Sequence, residues 1–345
     1  MSKTNLSKLF VACRDGDVDT VQNLLPDTTP EMINQLVTKT ESPLRAASFN
    51  GHEHIVFLLV AHLKSFESIE RTESEPAATN AVPVENNRNR RPLEDAVERF
   101  SEDPSKRIEW LFDDDEARIY SSRFHWGFTK NRGLKKTVKK LLKSEIFGNH
   151  ENGSDLAEVQ KLIERSLPQN DNKPENLIRA YTCDSSFYTT LNKYMSKGKP
   201  SDALKRSTKE WSGYYTGFMI NYPEFKKYRF SGRTYRGMQI TPDDLKQYRI
   251  GVLLCSKAFQ SSSRSWEIGF DFAYPYDRKP GTSPVIIVMD IIDENSAYSI
   301  SKFSKYQYEE EVLIFPGTLF EVVNINRHKF PIEISLSQFV WRNQF

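Results

Sequence analysis

Two rhythms of hydrophobic and polar positions run along the chain, and the change from one to the other divides it. Up to about residue 225, apolar residues recur every three to four positions, the spacing of helices with one buried face. Leu9, Phe10, Ala12 and Cys13 lead to a turn centred on Gly16, and a second short helix ends at Leu24-Leu25. The design returns at Ser42 to Leu59. There Pro43 opens a helix, since its missing N–H costs nothing in a first turn, Ala46 and Ala47 allow close packing, and Gly51 supplies a C-terminal turn. Leu134, Val138, Leu141 and Leu142, then Leu156, Val159, Leu162 and Ile163, predict two more helices on either side of the polar stretch Asn149 to Ser154. Further helix is expected over 174–199 and in the aromatic-rich 209–225.

Beyond that point the texture becomes short apolar runs between turns. The runs at 233–239, 251–255, 258–261, 285–290, 312–314 and 318–324 predict strands. Strands gathered after helices define an α+β domain, here expected as two packed sheets. Ser65 to Arg91 fits neither rhythm. It is dominated by Glu, Ser, Thr, Asn, Ala and Pro, too polar to bury the surface that would order it, and is read as a flexible insertion. After it, Arg91 to Ala96 and Arg107 to Phe112 resemble the opening and second helix of a third, degenerate repeat.

Composition narrows the class without naming it. At 345 residues the chain has room for two or three domains and a sizeable core. Its 48 basic and 46 acidic residues leave a formal charge of +2, so no global field favours nucleic acid or membrane surfaces. The exception is local: Lys130 to Lys143 holds seven basic residues and no acid, which reads as a solvated basic face rather than a nucleic-acid site. Three widely spaced cysteines, Cys13, Cys183 and Cys255, suit a reducing compartment better than a disulfide scaffold. The polar first residues and the lack of a long apolar run lead us to expect no secretory leader and no membrane span, hence an intracellular, cytoplasmic protein.

Three polar features interrupt the predicted strands. Arg236 stands within Tyr235-Arg236-Gly237-Met238, where a buried guanidinium needs a partner and its planar fork suits a diphosphate; Gly237 would let backbone and ligand approach closely. Next comes Phe259-Gln260-Ser261-Ser262-Ser263, whose hydroxyls could orient a sugar or a carboxylate. Last is Glu309-Glu310-Glu311 at the entrance to Val312-Leu313-Ile314. Strand alternation would put Glu309 and Glu311 on one side, about 7 Å apart, with Glu310 on the other. Such a pair invites positive charge: a guanidinium, a metal or a cationic transition state.

Two family resemblances rest on these residues. Ser42-Pro43-Leu44-Arg45-Ala46-Ala47 followed by Gly51-His52 and Ile55-Val56 resembles the ankyrin repeat, with Ser42 and Arg45 in place of the usual Thr and His. His52 and His54 would then serve turn hydrogen bonds, not a metal. From about 175 to 330, the order Arg236, Ser261-Ser262-Ser263, Glu309-x-Glu311-Val312-Leu313 resembles the R-S-E arginine-specific mono-ADP-ribosyltransferases. The family's middle Thr is a serine here, which keeps the hydroxyl. Ala180-Tyr181-Thr182, Phe187-Tyr188 and Leu191-Asn192 match its leading helix, and Phe303-Ser304 and Pro316-Gly317-Thr318 flank the acids as in the family.

The resemblance implies an ADP-ribosyltransferase-type split β-sandwich with flanking helices behind ankyrin-like repeats. Residues 1–125 would be the repeat region, 126–172 a helical connector and 173–345 the catalytic domain, the boundary falling somewhere in 125–170. NAD would be the substrate, with no metal. Arg236 would bind an NAD phosphate or the nicotinamide-side ribose, and the Gly237 backbone the nicotinamide amide. Ser261 would hold Glu311 and the ribose. Glu311 would be the catalytic glutamate and Glu309 would orient or deprotonate an acceptor guanidinium. Phe270 or Phe272 would stack on nicotinamide, and Tyr306 or Tyr308, in the loop from Ala297, would touch the acceptor. A protein bearing exposed arginine is the implied partner, with another for the ankyrin-like region. The alternatives are an NAD glycohydrolase and an inert interaction protein. Extracellular vertebrate relatives carry a disulfide to the C-terminus; no cysteine follows Cys255 here, which agrees with an intracellular enzyme.

Overall fold

The computed structural model describes residues 3–35, 37–38, 41–73, 110–127, 133–148, 155–183, 185–196, 210–275 and 279–340. The chain divides into two compact units. The smaller comprises Met1–Asn89 with Ser283–Val285 and Asn326–Glu333; the larger holds Arg90–Thr282, Ile286–Ile325 and Ile334–Phe345.

In the smaller unit, helices Lys3–Asp15 and Val18–Leu24 form one pair, and Pro43–Phe49 and Glu53–Glu73 another. Each pair turns on a glycine in left-handed backbone, Gly16 at φ +81° and Gly51 at φ +73°, a conformation that a residue without Cβ adopts cheaply. Polar caps fix the starts. The Ser42 hydroxyl accepts the Arg45 N–H at 3.3 Å with Pro43 at the first helical position, and Asp17 accepts the Thr20 N–H at 3.0 Å. His52 Nε2 lies 3.0 Å from the Arg14 carbonyl oxygen, tying one turn to the other. Leu9, Cys13, Val21, Ala46, Ala47, Ile55 and Leu59 are fully buried between the helices. Residues Asn326–Glu333 close on the same unit: the Phe330 N–H donates to the Ser48 carbonyl at 3.0 Å, and Lys329 Nζ stands 4.0 Å over the Phe49 ring. A side chain at Gly51 would sit 2.1 Å from the His328 carbonyl oxygen.

The helix from Glu53 continues to Glu73, well past Ser65, where a flexible insertion was expected to begin. His62 meets Phe66 one turn on at 5.0 Å, and the Glu and Arg residues that follow are good helix formers. Residues 74–91 of the insertion lie outside the described residues, as does Arg91 to Glu109 of the expected third repeat. Its remainder is not helical: Trp110–Phe112 is a strand. Three consecutive large apolar residues carry no period, and the edge of a sheet claims them.

Among the described residues that sheet has nine strands: β1 (Trp110–Phe112), β2 (Gly232–Ile240), β3 (Leu253–Ser256), β4 (Gln260–Ser263), β5 (Ser283–Ile291), β6 (Ala297–Ser299), β7 (Glu311–Ile314), β8 (Leu319–Asn326) and β9 (Ile332–Gln338). Their order is β1-β3-β8-β9-β5-β2-β4-β7-β6. The two packed sheets expected from the sequence are therefore joined in one hydrogen-bonded order, because β2 reaches β4 through Tyr235 opposite Ser263. Helices Asn176–Thr182, Ser186–Ser196 and Glu210–Asn221 share one core with this sheet. Aromatic rings fill it: Tyr181 lies 5.4 Å from Phe259 and Tyr298 lies 4.6 Å from Phe315, both edge to face. The helix expected to run unbroken through 174–199 is two, parted at Cys183, whose backbone is extended. Of the basic run, Lys130 and Arg132 lie outside the described residues; on helix Leu134–Leu142, Lys136 and Lys140 stand 5.7 and 5.8 Å from the Tyr214 ring. Among the described residues no helix is long and apolar enough to cross a membrane.

Candidate active site

Adjacent strands β2, β4 and β7 deliver Arg236, Ser261 and Glu311 to one cleft. Its walls also include Tyr235, Gly237, Ile268, Phe272 and Glu309. The antiparallel register sets Ser263 opposite both Tyr235 and Glu311, so residues distant in sequence are brought into one row.

The contacts bind the three groups together. Ser261 Oγ donates to Glu311 Oε1 at 2.6 Å, and Arg236 Nη1 donates to the Ser261 carbonyl at 2.7 Å. Ser262 and Ser263 are engaged elsewhere: Ser262 Oγ donates to the Val312 carbonyl, and Ser263 Oγ accepts the Ser265 N–H at 2.9 Å. Ser265 in turn caps helix Trp266–Ala273. One hydroxyl of the three thus serves the carboxylate, while the other two fix the strand end that presents it.

Glu311 is 3% exposed, and among the described residues its Oε2 has no hydrogen-bond partner. An ionised carboxylate that deep, held at one oxygen only, is costly. A site that receives a donor from an incoming molecule would keep such an acceptor open. Tyr181, 4% exposed, stands behind. Burial pushes its phenol well above the ordinary value, the Asn192 amide at 3.1 Å pulls it down, and the Glu311 and Arg236 charges act on it in opposite directions.

Glu309 reaches the cleft by a route that strand alternation does not describe. It ends the short 3-10 turn Gln307–Glu309, and β7 begins only at Glu311. Between them Glu310 takes left-handed backbone, φ +46° and ψ +45°. This reversal, rather than a two-residue strand period, lets Glu309 and Glu311 line one cavity. A side chain in that conformation costs roughly 1–2 kcal/mol. The Glu310 carboxylate meets the Arg264 guanidinium at 3.0 Å, both about half exposed, and such a pair returns about 0–1 kcal/mol.

Gly237 lines the cleft and has a packing reason besides the one expected. A Cβ there would fall 1.8 Å from the Gly269 carbonyl oxygen and 2.3 Å from the Ala273 nitrogen, so the absent side chain makes room for the backbone of helix Trp266–Ala273. Of the two aromatics left open by the sequence, Phe272 lines the cleft, whereas Phe270 is 1% exposed and packs on Trp266. Tyr306 is buried and Tyr308 is 64% exposed beside the acids. Sequence reasoning missed Tyr235 and Ile268 as cleft residues; Tyr235 was legible as the strand neighbour of Arg236, while Ile268 gives no signal. Among the described residues no cluster of His, Cys, Asp and Glu is arranged to hold a metal.

The stretch of chain that builds this cleft falls within a known family. A family model described as "ART: NAD:arginine ADP-ribosyltransferase" matches residues 137–340, more than half of the chain, and the chain belongs to that family. Among curated proteins it is similar to the NAD(+)--protein-arginine ADP-ribosyltransferase Tre1 of Serratia proteamaculans (strain 568), at 29% identity over 147 residues. That match covers 43% of this chain and 28% of the relative, so the chain spans well under half of that protein's length. Among solved structures it is similar to the Vis toxin, an ADP-ribosyltransferase from Vibrio splendidus, at 18% identity, 64% of this chain, 92% of that chain and a TM-score of 0.37. It is also similar to the type III effector XopAI from Xanthomonas axonopodis pv. citri, at 18% identity, 66% of this chain, 97% of that chain and a TM-score of 0.37.

Proposed function

We propose that the chain transfers ADP-ribose from NAD to arginine side chains of a protein acceptor, releasing nicotinamide. The observation that carries this reading is the buried Glu311 carboxylate on the cleft wall, fixed by Ser261 at 2.6 Å, with its second oxygen lacking a hydrogen-bond partner among the described residues. In the proposed reaction that oxygen accepts the 2′-hydroxyl of the nicotinamide ribose. The bond from C1′ to the nicotinamide nitrogen breaks, its electron pair leaves with nicotinamide, and the carboxylate opposes the positive charge that develops on the sugar. Arg236 holds a phosphate or the ribose, the Gly237 backbone serves the amide, and Phe272 offers the ring on which nicotinamide stacks. Glu309 takes the proton from the acceptor guanidinium as its nitrogen bonds to C1′, and exposed Tyr308 touches the acceptor. No metal enters the scheme.

The two helix–glycine–helix units of residues 3–73 support reading the N-terminal region as an ankyrin-like module that selects or tethers the acceptor protein. Cys13, Cys183 and Cys255 form no disulfide, which supports an intracellular setting. Neither nucleic acid nor a membrane is part of the proposal.

The test uses labelled NAD and an arginine-rich protein acceptor with the purified chain. Wild type labels the acceptor, and Glu309→Ala abolishes labelling, leaving NAD hydrolysis as the residual activity. Label appearing on lysine or serine, or labelling at the wild-type rate by Glu309→Ala, would contradict the proposal; hydrolysis alone in wild type would favour an NAD glycohydrolase.

A further inference from the structure

Between the two acids of the cleft lies a residue with no place in the proposed chemistry. Glu310 is held at three points. Its N–H donates to the Gln307 carbonyl at 3.3 Å, its carbonyl accepts the Arg264 N–H at 3.3 Å, and its carboxylate meets the Arg264 guanidinium at 3.0 Å. Arg264 directly follows Ser261-Ser262-Ser263, so a single residue on the β4 side grips both the backbone and the side chain of the residue separating Glu309 from Glu311. Glycine would fit the left-handed position without steric cost, and a half-exposed ion pair contributes too little to account for a glutamate on stability alone. What the pair does supply is direction. Glu311 is fixed independently, by its strand register opposite Ser263 and by Ser261, whereas the course of the chain back to Glu309 is set by the φ and ψ of Glu310.

We infer that Arg264 and Glu310 form a positioning latch for Glu309, and that the latch favours transfer to an acceptor over hydrolysis of NAD. The inference rests on the proposed transferase reading. With the latch closed, Glu309 stays on the cleft wall, where an incoming guanidinium would meet it. With the latch open, Glu310 can relax out of left-handed backbone, Glu309 swings with it, and water becomes the acceptor. Neither latch residue touches NAD in this scheme, so bond cleavage itself is left intact.

The experiment measures acceptor labelling and nicotinamide release side by side for wild type, Arg264→Ala, Glu310→Ala (which removes the carboxylate but keeps the Cβ that disfavours left-handed backbone) and the charge-reversed pair Arg264→Glu with Glu310→Arg. Both single variants are expected to lower the ratio of transfer to hydrolysis by up to about fivefold, the shift that losing one half-exposed ion pair can produce, with nicotinamide release and the KM for NAD close to wild type. Charge reversal is expected to recover most of the ratio, which a merely structural role for either side chain would not do. Unchanged ratios in both single variants, or equal loss of transfer and release, would overturn the latch. Wild type that releases no nicotinamide would instead defeat the transferase reading beneath it, so the two failures are distinct.

Discussion

In the proposed reaction the chemistry turns on Glu311, a buried acid with one oxygen unpaired among the described residues. Glu311 holds its position through Ser261 and the β4–β7 register, and the unpaired oxygen is the acceptor assigned to the ribose hydroxyl in the proposal. Two thiols are buried as deeply. Burial raises the Cys13 thiol to about 12 and lifts that of Cys255 well above its ordinary value. A raised thiol pKa means the fold disfavours the thiolate. That contribution to stability is therefore complete at neutral pH and is lost as pH climbs from the ordinary thiol range toward the folded value. At pH 8 in native protein, a thiol-specific reagent should label the half-buried Cys183 and spare Cys13 and Cys255 until denaturant is added; rapid labelling of all three would contradict this packing. At this scale the sequence was informative where chemistry and strand texture coincide: an arginine, a serine run and an acid pair each broke an apolar strand and could be picked out. The means by which Glu309 reaches the cleft could not be read, because left-handed backbone at Glu310 is usually announced by glycine or asparagine, and glutamate gives no such signal.

Among the elements, the pairing of β2 with helix Trp266–Ala273 does most to shape the cleft. Gly237 lets the helix backbone lie directly on the strand, and Gly269 does the same from the other side, where a Cβ would come 2.9 Å from the Cβ of Tyr235. This close approach puts Ile268 and Phe272 beside Arg236. Gly237→Ala should cost at least about 1–3 kcal/mol, the usual range for overpacking, seen as a lower chemical-denaturation midpoint; an unchanged midpoint with full activity would contradict the packing argument. Most strands were legible because β-branched and aromatic runs ended at turns. β9 was overlooked although Ile334 and Leu336 are buried between the less buried Ser335 and Ser337, a clean two-residue period. β1 was read as helix because Arg107 to Phe112 resembles the second helix of a repeat; Trp110-Leu111-Phe112 has no period of its own, and pairing with β3 at Leu111 opposite Cys255 decides it.

For the molecule as a whole, the change of rhythm seen in the sequence marks a real change of architecture, from paired helices to a nine-stranded sheet. What the sequence could not supply was how the strands join, since the meeting of β2 and β4 at Tyr235 and Ser263 depends on contacts far apart along the chain. That meeting is also what gathers Arg236, Ser261 and Glu311. The most direct test of the whole account is nicotinamide release from NAD by the purified protein, wild type against Glu311→Gln, with NAD binding measured in parallel. The account predicts release by wild type and a loss of at least about a hundredfold in Glu311→Gln, in the range expected for removing charge stabilisation from a transition state, while NAD still binds. Equal release by the two proteins would contradict it.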